Sequence, residues 1–229
     1  MEYVELARAE SPRGEVLLRE RRDPDDAAAA VVELRVNGVF VMDTLETTTE
    51  RALASAALAQ VDDPREVLVG GLGLGFTAHE VLMDDRVERL VVVEVEEALV
   101  GWMRDGKVPH GPQFLADDRL SVVTADIRVA IEEAKPDSYD LALLDVDNGP
   151  GYLVHETNAE VYGAEFLSRV RAVLRPGGCL VVWSNDASDE LCDALTRVFG
   201  TATGIPHEVV LQGREERYWL YTARVPVNP

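Results

Sequence analysis

The hydrophobic pattern near the start of the chain is that of short strands. Residues 3–43 contain four strand-like runs, at 3–9, 14–21, 30–36 and 39–43. Asn37-Gly38 separates the last two, and this pair tolerates the positive φ angles of a tight hairpin turn. We interpret residues 23–30 as the connection between the second and third runs. The pattern predicts a β-hairpin unit over residues 1–45, too small to be very stable alone and expected to pack on the main domain or on another subunit.

The pattern changes to alternating strands and helices in a second predicted domain, residues 46–229. A helical stretch at 44–60 leads into it. Strands are predicted at 66–69, 87–95, 120–124, 139–144, 179–183, 208–212 and 217–223, and helices at 77–83, 96–104, 128–134, 161–174 and 188–199. Continuous apolar strands alternating with helices predict a parallel sheet covered on both faces. Because only a few residues join the last two strands, they must be antiparallel. This is the layout of the α/β, Rossmann-like class I methyltransferase fold, a mostly parallel seven-stranded sheet with a C-terminal antiparallel hairpin.

Charge narrows the range of partners. The chain has 22 basic and 42 acidic side chains, a formal net charge of −20. This balance argues against nucleic acid and against an anionic membrane surface, and it permits a small cationic ligand. No signal-peptide pattern and no apolar run of about 18 residues is present. The two cysteines form no disulfide framework and the four histidines lack metal-ligand spacing, so we expect a cytoplasmic protein without a metal.

The first nucleotide-type signal is a glycine loop after the first strand of the second domain. Gly71, Gly73 and Gly75 alternate there, directly before a predicted helix. Glycines allow close approach of a ligand to the backbone, and the helix start offers free amides. The dinucleotide fingerprint requires a further glycine where Phe76 stands, which disfavours NAD or FAD and favours an adenosyl-sulfonium nucleoside. The alternative is a merely tight strand-to-helix turn.

Acidic residues follow the next two strands. Glu94 lies 19 residues beyond Gly75, where a carboxylate can accept hydrogen bonds from both ribose hydroxyls. After the third strand, Asp126 can accept from an adenine amino group while Ile127 packs on the ring. Asp126 is equally suited to be a helix N-cap.

The loop after the fourth strand is the most informative stretch. It reads Asp145-Val146-Asp147-Asn148-Gly149-Pro150. Asp145 can orient or deprotonate an amine, Asp147 and Asn148 can help to bind its charge, and an acidic turn is the plainer alternative. Beyond this loop, Tyr152 or Tyr162 could form a lid over the substrate. Trp183, at the end of the fifth strand, lines the pocket or belongs to the core.

These residues resemble the spermidine synthases, the aminopropyltransferases of the class I methyltransferase-like superfamily, over roughly residues 30–223. The resemblance rests on the glycine motif at 67–75, Val-Glu-Val-Glu at 93–96, Ala125-Asp126, and Asp145 with the following Gly149-Pro150. It implies that the glycines, Glu94 and Asp126 hold decarboxylated S-adenosylmethionine. It further implies that Asp145 is the general base, that a polyamine accepts the aminopropyl group, and that the protein is a homodimer.

The acceptor site departs from the family pattern. The loop at 145–150 is two residues shorter than the family's Asp-x-x-Asp-x-x-Gly-Pro. At 48–50, where the family has Tyr-His-Glu or Tyr-Gln-Glu, only Glu50 is kept, and the family's glutamine near the fifth strand is replaced around Trp183. We therefore expect a retained donor site and an altered polyamine site.

Three functions follow from this comparison. The first is transfer of an alkyl group from an adenosyl-sulfonium donor to a small amine. The transferred group is aminopropyl if the donor is decarboxylated and methyl if the donor is S-adenosylmethionine itself. The second is non-catalytic binding of a nucleoside or polyamine on the same fold. The third, an NAD-dependent oxidoreductase, is opposed by Phe76.

Overall fold

The computed structural model describes residues 2–23, 26–146, 149–151, 153, 156–211 and 213–227. The first part of the chain forms a four-stranded antiparallel sheet in the order β1-β2-β3-β4. Its strands are β1 (Glu2–Ser11), β2 (Gly14–Asp23), β3 (Asp26–Val36) and β4 (Val39–Asp43). The predicted hairpin at Asn37-Gly38 is confirmed, with φ of 50° and 77° at the two residues. The connection predicted at 23–30 is wrong in its extent, because β3 begins at Asp26 and pairs with β2.

The second sheet has seven strands in the order β10-β11-β9-β8-β5-β6-β7. They are β5 (Glu66–Gly70), β6 (Arg89–Glu94), β7 (Leu120–Thr124), β8 (Tyr139–Leu144), β9 (Leu174–Ser184), β10 (Ala202–Leu211) and β11 (Arg214–Arg224). Strands β5 to β9 are parallel, and β11 pairs antiparallel with both β9 and β10. The predicted mostly parallel sheet with a C-terminal antiparallel hairpin is confirmed.

Helices cover this sheet on both faces. They are α1 (Thr48–Leu58), α2 (Phe76–Leu82), α3 (Glu97–Arg104), α4 (Gly111–Leu115), α5 (Ile127–Glu133), α6 (Ala164–Val173) and α7 (Asp189–Phe199), with a 3-10 helix at Glu156–Tyr162. The sequence pattern missed α4 and the 3-10 helix. Both are short, and so they carry little of the periodicity by which helices are recognised.

The two sheets share one hydrophobic core. Val16, Leu34 and Met42 of the first sheet pack in the same buried cluster as Leu72 and Leu74 of the glycine loop. The small β unit, which was expected to pack on another part of the protein, therefore packs on the main domain. A boundary between residues 45 and 46 stays a prediction. No helix in the described ranges is long and apolar enough to cross a bilayer.

Candidate functional site

A cavity of about 330 Å³ lies between the first sheet and the carboxyl ends of the parallel strands. This is the edge where open α/β sheets bind their ligands. The strand order places four candidate residues in a row along this edge: Trp183 near the end of β9, Asp145 after β8, Gly71 after β5 and Glu94 at the end of β6. All four line the cavity, as do Gly73, Glu50, Asp126 and Ile127.

Gly71 and Gly73 line the cavity, and close contacts require a glycine at both positions. Gly71 has φ +97°, and a Cβ atom there would lie 1.9 Å from the Asp145 carbonyl oxygen. Gly73 has φ +50°, and its Cβ would lie 2.6 Å from the sulfur of Met42. That sulfur accepts a hydrogen bond from the Leu74 amide at 3.2 Å. The first sheet therefore holds the glycine loop in position through Met42, a residue that the sequence pattern did not single out.

Gly75 has a structural role, and its predicted binding role stays a prediction. It precedes α2 with φ +87°, and a Cβ would meet the Met103 side chain at 2.9 Å. It is not part of the cavity lining in the described residues. Close packing of the helix start against its neighbours explains this glycine.

Glu94 is fixed at the end of the cavity that lies beside β6. The residue is 6% exposed, and its carboxylate accepts hydrogen bonds from the backbone amides of Leu72 at 2.9 Å and Glu96 at 2.7 Å. Burial raises the pKa of Glu94, while the backbone hydrogen bonds oppose that shift. One residue thus joins the glycine loop to the end of β6. Carboxylate oxygens can accept more than one hydrogen bond each, so capacity is left for two ligand hydroxyls.

Asp126 is a helix N-cap, the alternative left open by its position. It accepts from the Arg128 amide at 2.8 Å and forms an ion pair with the Arg128 guanidinium at 2.6 Å. Those hydrogen bonds lower the pKa of Asp126. Asp126 also lines the cavity beside the buried Ile127, and its role toward adenine stays a prediction.

Arg13 connects the first sheet to the end of the cavity beside β6. It lies in the turn between β1 and β2, pairs with Glu96 at 2.7 Å and donates to the Val95 carbonyl at 2.8 Å. It lines the cavity. Sequence reasoning missed this residue because the contact spans 83 positions of the chain and no local pattern marks it.

Asp145 is held by the residues around it. Its amide donates to the Gly70 carbonyl at 2.8 Å, and its carboxylate accepts from the Thr77 hydroxyl at 2.9 Å. Burial raises the pKa of Asp145 to about 6. A carboxylate with such a pKa is ionised near neutral pH and still accepts a proton readily. Thr77 was not among the sequence candidates, although its place at the start of α2 puts it opposite β8.

Glu50 forms an acidic pair with Asp145. Burial and the nearby Asp145 charge raise the pKa of Glu50 to about 7. Burial, followed by the Glu50 charge, raises the pKa of Tyr218 to about 12. The Tyr218 ring lies 5.0 Å from that of Trp183 in an edge contact. Asp145, Glu50 and Trp183 therefore line one end of the cavity, and Tyr218 contacts Trp183 without lining the cavity in the described residues. Glu94 lines the other end, two strands along the sheet from Asp145.

Replacing Glu50 with glutamine is expected to stabilise the unliganded protein at high pH. A raised pKa in the folded state means that stability is lost as pH rises from the ordinary value of 4.5 through about 7. Glutamine does not ionise, so this loss of stability at high pH does not occur in the variant. We expect Tm to rise by roughly 2–4 °C at about pH 8, the shift that about 1 kcal/mol produces, and the gain to vanish near pH 4. Glu97→Gln, an exposed charge-matched control, should give no pH-dependent gain, and an E50Q gain equal at both pH values would contradict the burial effect.

Further predicted residues remain, at the end of β9 and around the loop after β8. Trp183 was predicted either to line the pocket or to belong to the core, and it does both. Tyr162 is 6% exposed and packs in a second buried cluster, together with Phe166 and Leu167, and it does not line the cavity in the described residues. Its predicted contact with the substrate stays a prediction without structural support. Asp147, Asn148 and Tyr152 lie outside the described residues.

Metal binding has no support in the described part of the chain. No group of three or more His, Cys, Asp or Glu residues there could hold a metal ion.

Comparison with known proteins gives a consistent result. Residues 46–194 match the family described as the spermine/spermidine synthase domain. Polyamine aminopropyltransferase 2 of Pseudomonas aeruginosa is 31% identical over 141 residues, 60% of this chain and 38% of that protein. The enzyme of the same name from Hyperthermus butylicus is 33% identical over 134 residues, 57% of this chain and 41% of that protein. The chain thus spans about two fifths of the length of these curated relatives.

Solved structures match nearly the whole chain. A spermidine synthase in complex with the transition-state analogue AdoDATO has a TM-score of 0.83, covering 98% of this chain and 75% of that one. The spermidine synthase from Thermotoga maritima has a TM-score of 0.80, covering 98% and 74%. Sequence identity is 18% in both cases, so these likenesses establish the fold alone. The predicted Rossmann-like class I methyltransferase fold is confirmed.

Proposed function

Because the chain belongs to the spermine/spermidine synthase family, we propose that it transfers the aminopropyl group of decarboxylated S-adenosylmethionine to a small amine. Family membership favours this reaction over methyl transfer, and it gives no support to the expectation of an altered polyamine site. The predicted homodimer stays a prediction.

The observation that carries this proposal is the distribution of charge in the cavity. Glu50 and Asp145 lie at one end with raised pKa values. The cavity-lining arginines of the described chain, Arg13 and Arg128, lie at the other end, each paired with an acidic residue. S-adenosylmethionine carries a carboxylate beside its amino group, which the acidic end would repel. The decarboxylated donor carries only an ammonium group there, which the two carboxylates attract.

The nucleoside end suits the other half of the donor. Glu94 is positioned by two backbone amides and can accept from both ribose hydroxyls. Gly71 and Gly73 both line the cavity, so the donor can lie directly against the backbone there. A cavity of about 330 Å³ is within the size range of small-molecule sites.

The reaction places a nucleophile next to Asp145. The neutral amine nitrogen attacks the propyl carbon bonded to the sulfonium, so a C–N bond forms while the C–S bond breaks. The electron pair of the broken bond goes to sulfur and leaves a neutral thioether, methylthioadenosine. The proton released by the nitrogen passes to the Asp145 carboxylate, which Thr77 orients. The Glu50 carboxylate attracts the positively charged nitrogen of the substrate that lies beside it.

A comparison of donors tests the proposal. We expect decarboxylated S-adenosylmethionine to bind at least about tenfold more tightly than S-adenosylmethionine, because each 1.4 kcal/mol of repulsion costs a factor of ten. Calorimetry measures both affinities, and mass spectrometry with putrescine and spermidine identifies the product. Tight binding of the decarboxylated donor with an aminopropylated amine supports the proposal. Methylated product, or binding of methylthioadenosine without turnover of any amine, would overturn it.

A further inference from the structure

A buried threonine at the start of α2 is directed at Asp145. Thr77 is 3% exposed, and its hydroxyl donates to Oδ2 of Asp145 at 2.9 Å. Strands β5 and β8 pair with Gly70 opposite Leu144, so the segment that leads into α2 passes beside the residue that follows β8. Thr77 does not line the cavity in the described residues. Any effect of this threonine on a bound substrate therefore passes through Asp145.

The main chain of Asp145 is fixed independently of Thr77. Its amide donates to the Gly70 carbonyl at 2.8 Å, and its carbonyl oxygen would lie 1.9 Å from a Cβ atom on Gly71. These contacts hold the backbone but do not restrict rotation of the side chain. Among the described residues, Thr77 is the one hydrogen-bond partner of the carboxylate. The Thr77 hydroxyl therefore selects the orientation of the carboxylate.

The other surroundings of Asp145 favour its protonated form. Burial raises the pKa of Asp145 to about 6, and the Thr77 hydrogen bond opposes this shift. In the described chain, Glu50 of α1 faces Asp145 with a like charge, and the cavity-lining arginines lie at the other end of the cavity. A hydrogen bond donated to a carboxylate favours its ionised form, and only that form can act as a base. Thr77 therefore supports the form that the reaction needs.

The hydroxyl of Thr77 engages a single oxygen of the carboxylate. It has one hydrogen to donate, and that hydrogen is directed at Oδ2 of Asp145. The β-branched side chain of threonine is restricted at χ1, which fixes the direction of its hydroxyl. Oδ1 of Asp145 is left without a hydrogen-bond partner in the described part of the chain, and Asp145 lines the cavity. The two oxygens thus have different roles available to them.

We propose that Thr77 is a positioning residue for the aminopropyl transfer, which holds Oδ2 of Asp145 and leaves Oδ1 as the oxygen that receives the amine proton. This inference rests on the proposed function and adds to it a residue that does not touch the substrate. In the step, the N–H bond of the alkylated nitrogen breaks and its electron pair stays on nitrogen, while an O–H bond forms at Oδ1. The product amine and the Asp145 carboxyl group are both neutral afterwards.

Replacing Thr77 with valine removes the hydroxyl and keeps the branched shape. We expect kcat to fall about tenfold, the factor that corresponds to about 1.4 kcal/mol, with unchanged affinity for methylthioadenosine. The acid limb of kcat/KM should move to higher pH by about one unit, because the pKa of Asp145 rises when the hydrogen bond is lost. A merely structural role would not move this limb. Thr77→Ser keeps the hydroxyl and should stay within about threefold of the wild type, since only the χ1 restriction is weakened.

A control and a double variant make the test specific. Thr222→Val removes a hydroxyl of β11 outside the cavity lining and should leave kcat and the pH profile unchanged. Because Thr77 acts through Asp145, adding T77V to D145N should change kcat by less than about twofold. An equal loss in both backgrounds, or an unshifted acid limb in T77V, would overturn the inference. Thermal unfolding checks each variant, and Thr77→Ala replaces a valine variant that does not fold.

A titration without turnover separates this inference from the proposed function. In the unliganded protein, the ¹³C NMR signal of the labelled Asp145 carboxyl group should titrate at a higher pH in T77V than in the wild type. If the two titrations coincide while the wild type still aminopropylates an amine, the proposed function stands and Thr77 has no part in it. If the wild type aminopropylates no amine, the proposed function fails, and the role of Thr77 fails with it even where the titration shifts.

Discussion

Replacing Glu94 with alanine is expected to abolish measurable donor binding. The carboxylate is placed to accept from two ribose hydroxyls, and each hydrogen bond to a charged group contributes about 1.5–3 kcal/mol. Loss of both weakens binding by roughly 10²–10⁴-fold. The Leu72 and Glu96 amides also lose their acceptor, so the glycine loop loosens in the same variant. Calorimetry with methylthioadenosine measures the effect without requiring turnover.

Two companion variants separate binding from folding. Glu94→Gln keeps one oxygen as an acceptor and loses the charge, and we expect it to weaken binding by about tenfold. Glu97→Ala removes an exposed carboxylate of the same helix region and should bind like the wild type. Thermal unfolding without ligand shows whether each variant is folded. A folded E94A protein that binds methylthioadenosine normally would mean that the nucleoside is not held by Glu94.

Replacing Asp145 with asparagine is expected to spare donor binding and to lower kcat by roughly 10²–10⁴-fold. General-base catalysis contributes about that factor. Asparagine has nearly the same shape and can still accept from the Thr77 hydroxyl, so the glycine loop should stay in place. Stopped-flow or quenched-flow assays measure kcat, and calorimetry measures donor affinity. Asp186→Asn, at an exposed carboxylate outside the cavity lining, is the matched control.

The pH profile gives an independent readout of the same residue. Asp145 and Glu50 have pKa values raised to about 6 and about 7. Wild-type kcat/KM should therefore fall as pH drops through this range, because protonation removes the base and the charge that attracts the amine. In D145N, the remaining kcat/KM should fall less steeply as pH drops, because asparagine does not titrate. An unchanged profile, or a wild-type rate in D145N, would exclude Asp145 as the base.

Much of the fold could be predicted because each element leaves a local signal. Strand β8 (Tyr139–Leu144) was predicted to the residue, since an apolar run with abrupt polar ends marks a buried parallel strand. Strand β7 (Leu120–Thr124) was also predicted to the residue, although it is the partly exposed edge strand of the sheet. Strand β10 (Ala202–Leu211) was predicted six residues too short at its start. Its first half contains Gly204 and Pro206, residues that weaken a strand pattern, and pairing with β11 overrides that local preference.

The candidate site was predictable where a residue directly follows a parallel strand. Glu94 and Asp145 are in that position, and the rule that ligands bind at the carboxyl ends of strands identifies both. Arg13, Met42 and Tyr218 were not predictable in this way. Arg13 and Met42 reach the cavity from the first sheet, and Tyr218 of the last strand contacts the cavity-lining Trp183. Each of these contacts joins parts of the chain that are far apart in sequence.

The sequence by itself determined the order of strands and helices, the close-packed glycine loop and the two key carboxylates, because these depend on local periodicity and on position after a strand. Only the tertiary structure decided which carboxylates share an environment. Glu50 comes from α1 and Asp145 from the end of β8, and their raised pKa values follow from joint burial in one cavity. It likewise decided that the buried Trp183 N–H has no acceptor among the described residues. Burial, electrostatic coupling and hydrogen-bond pairing depend on distances between remote segments, and those distances are a property of the packed fold.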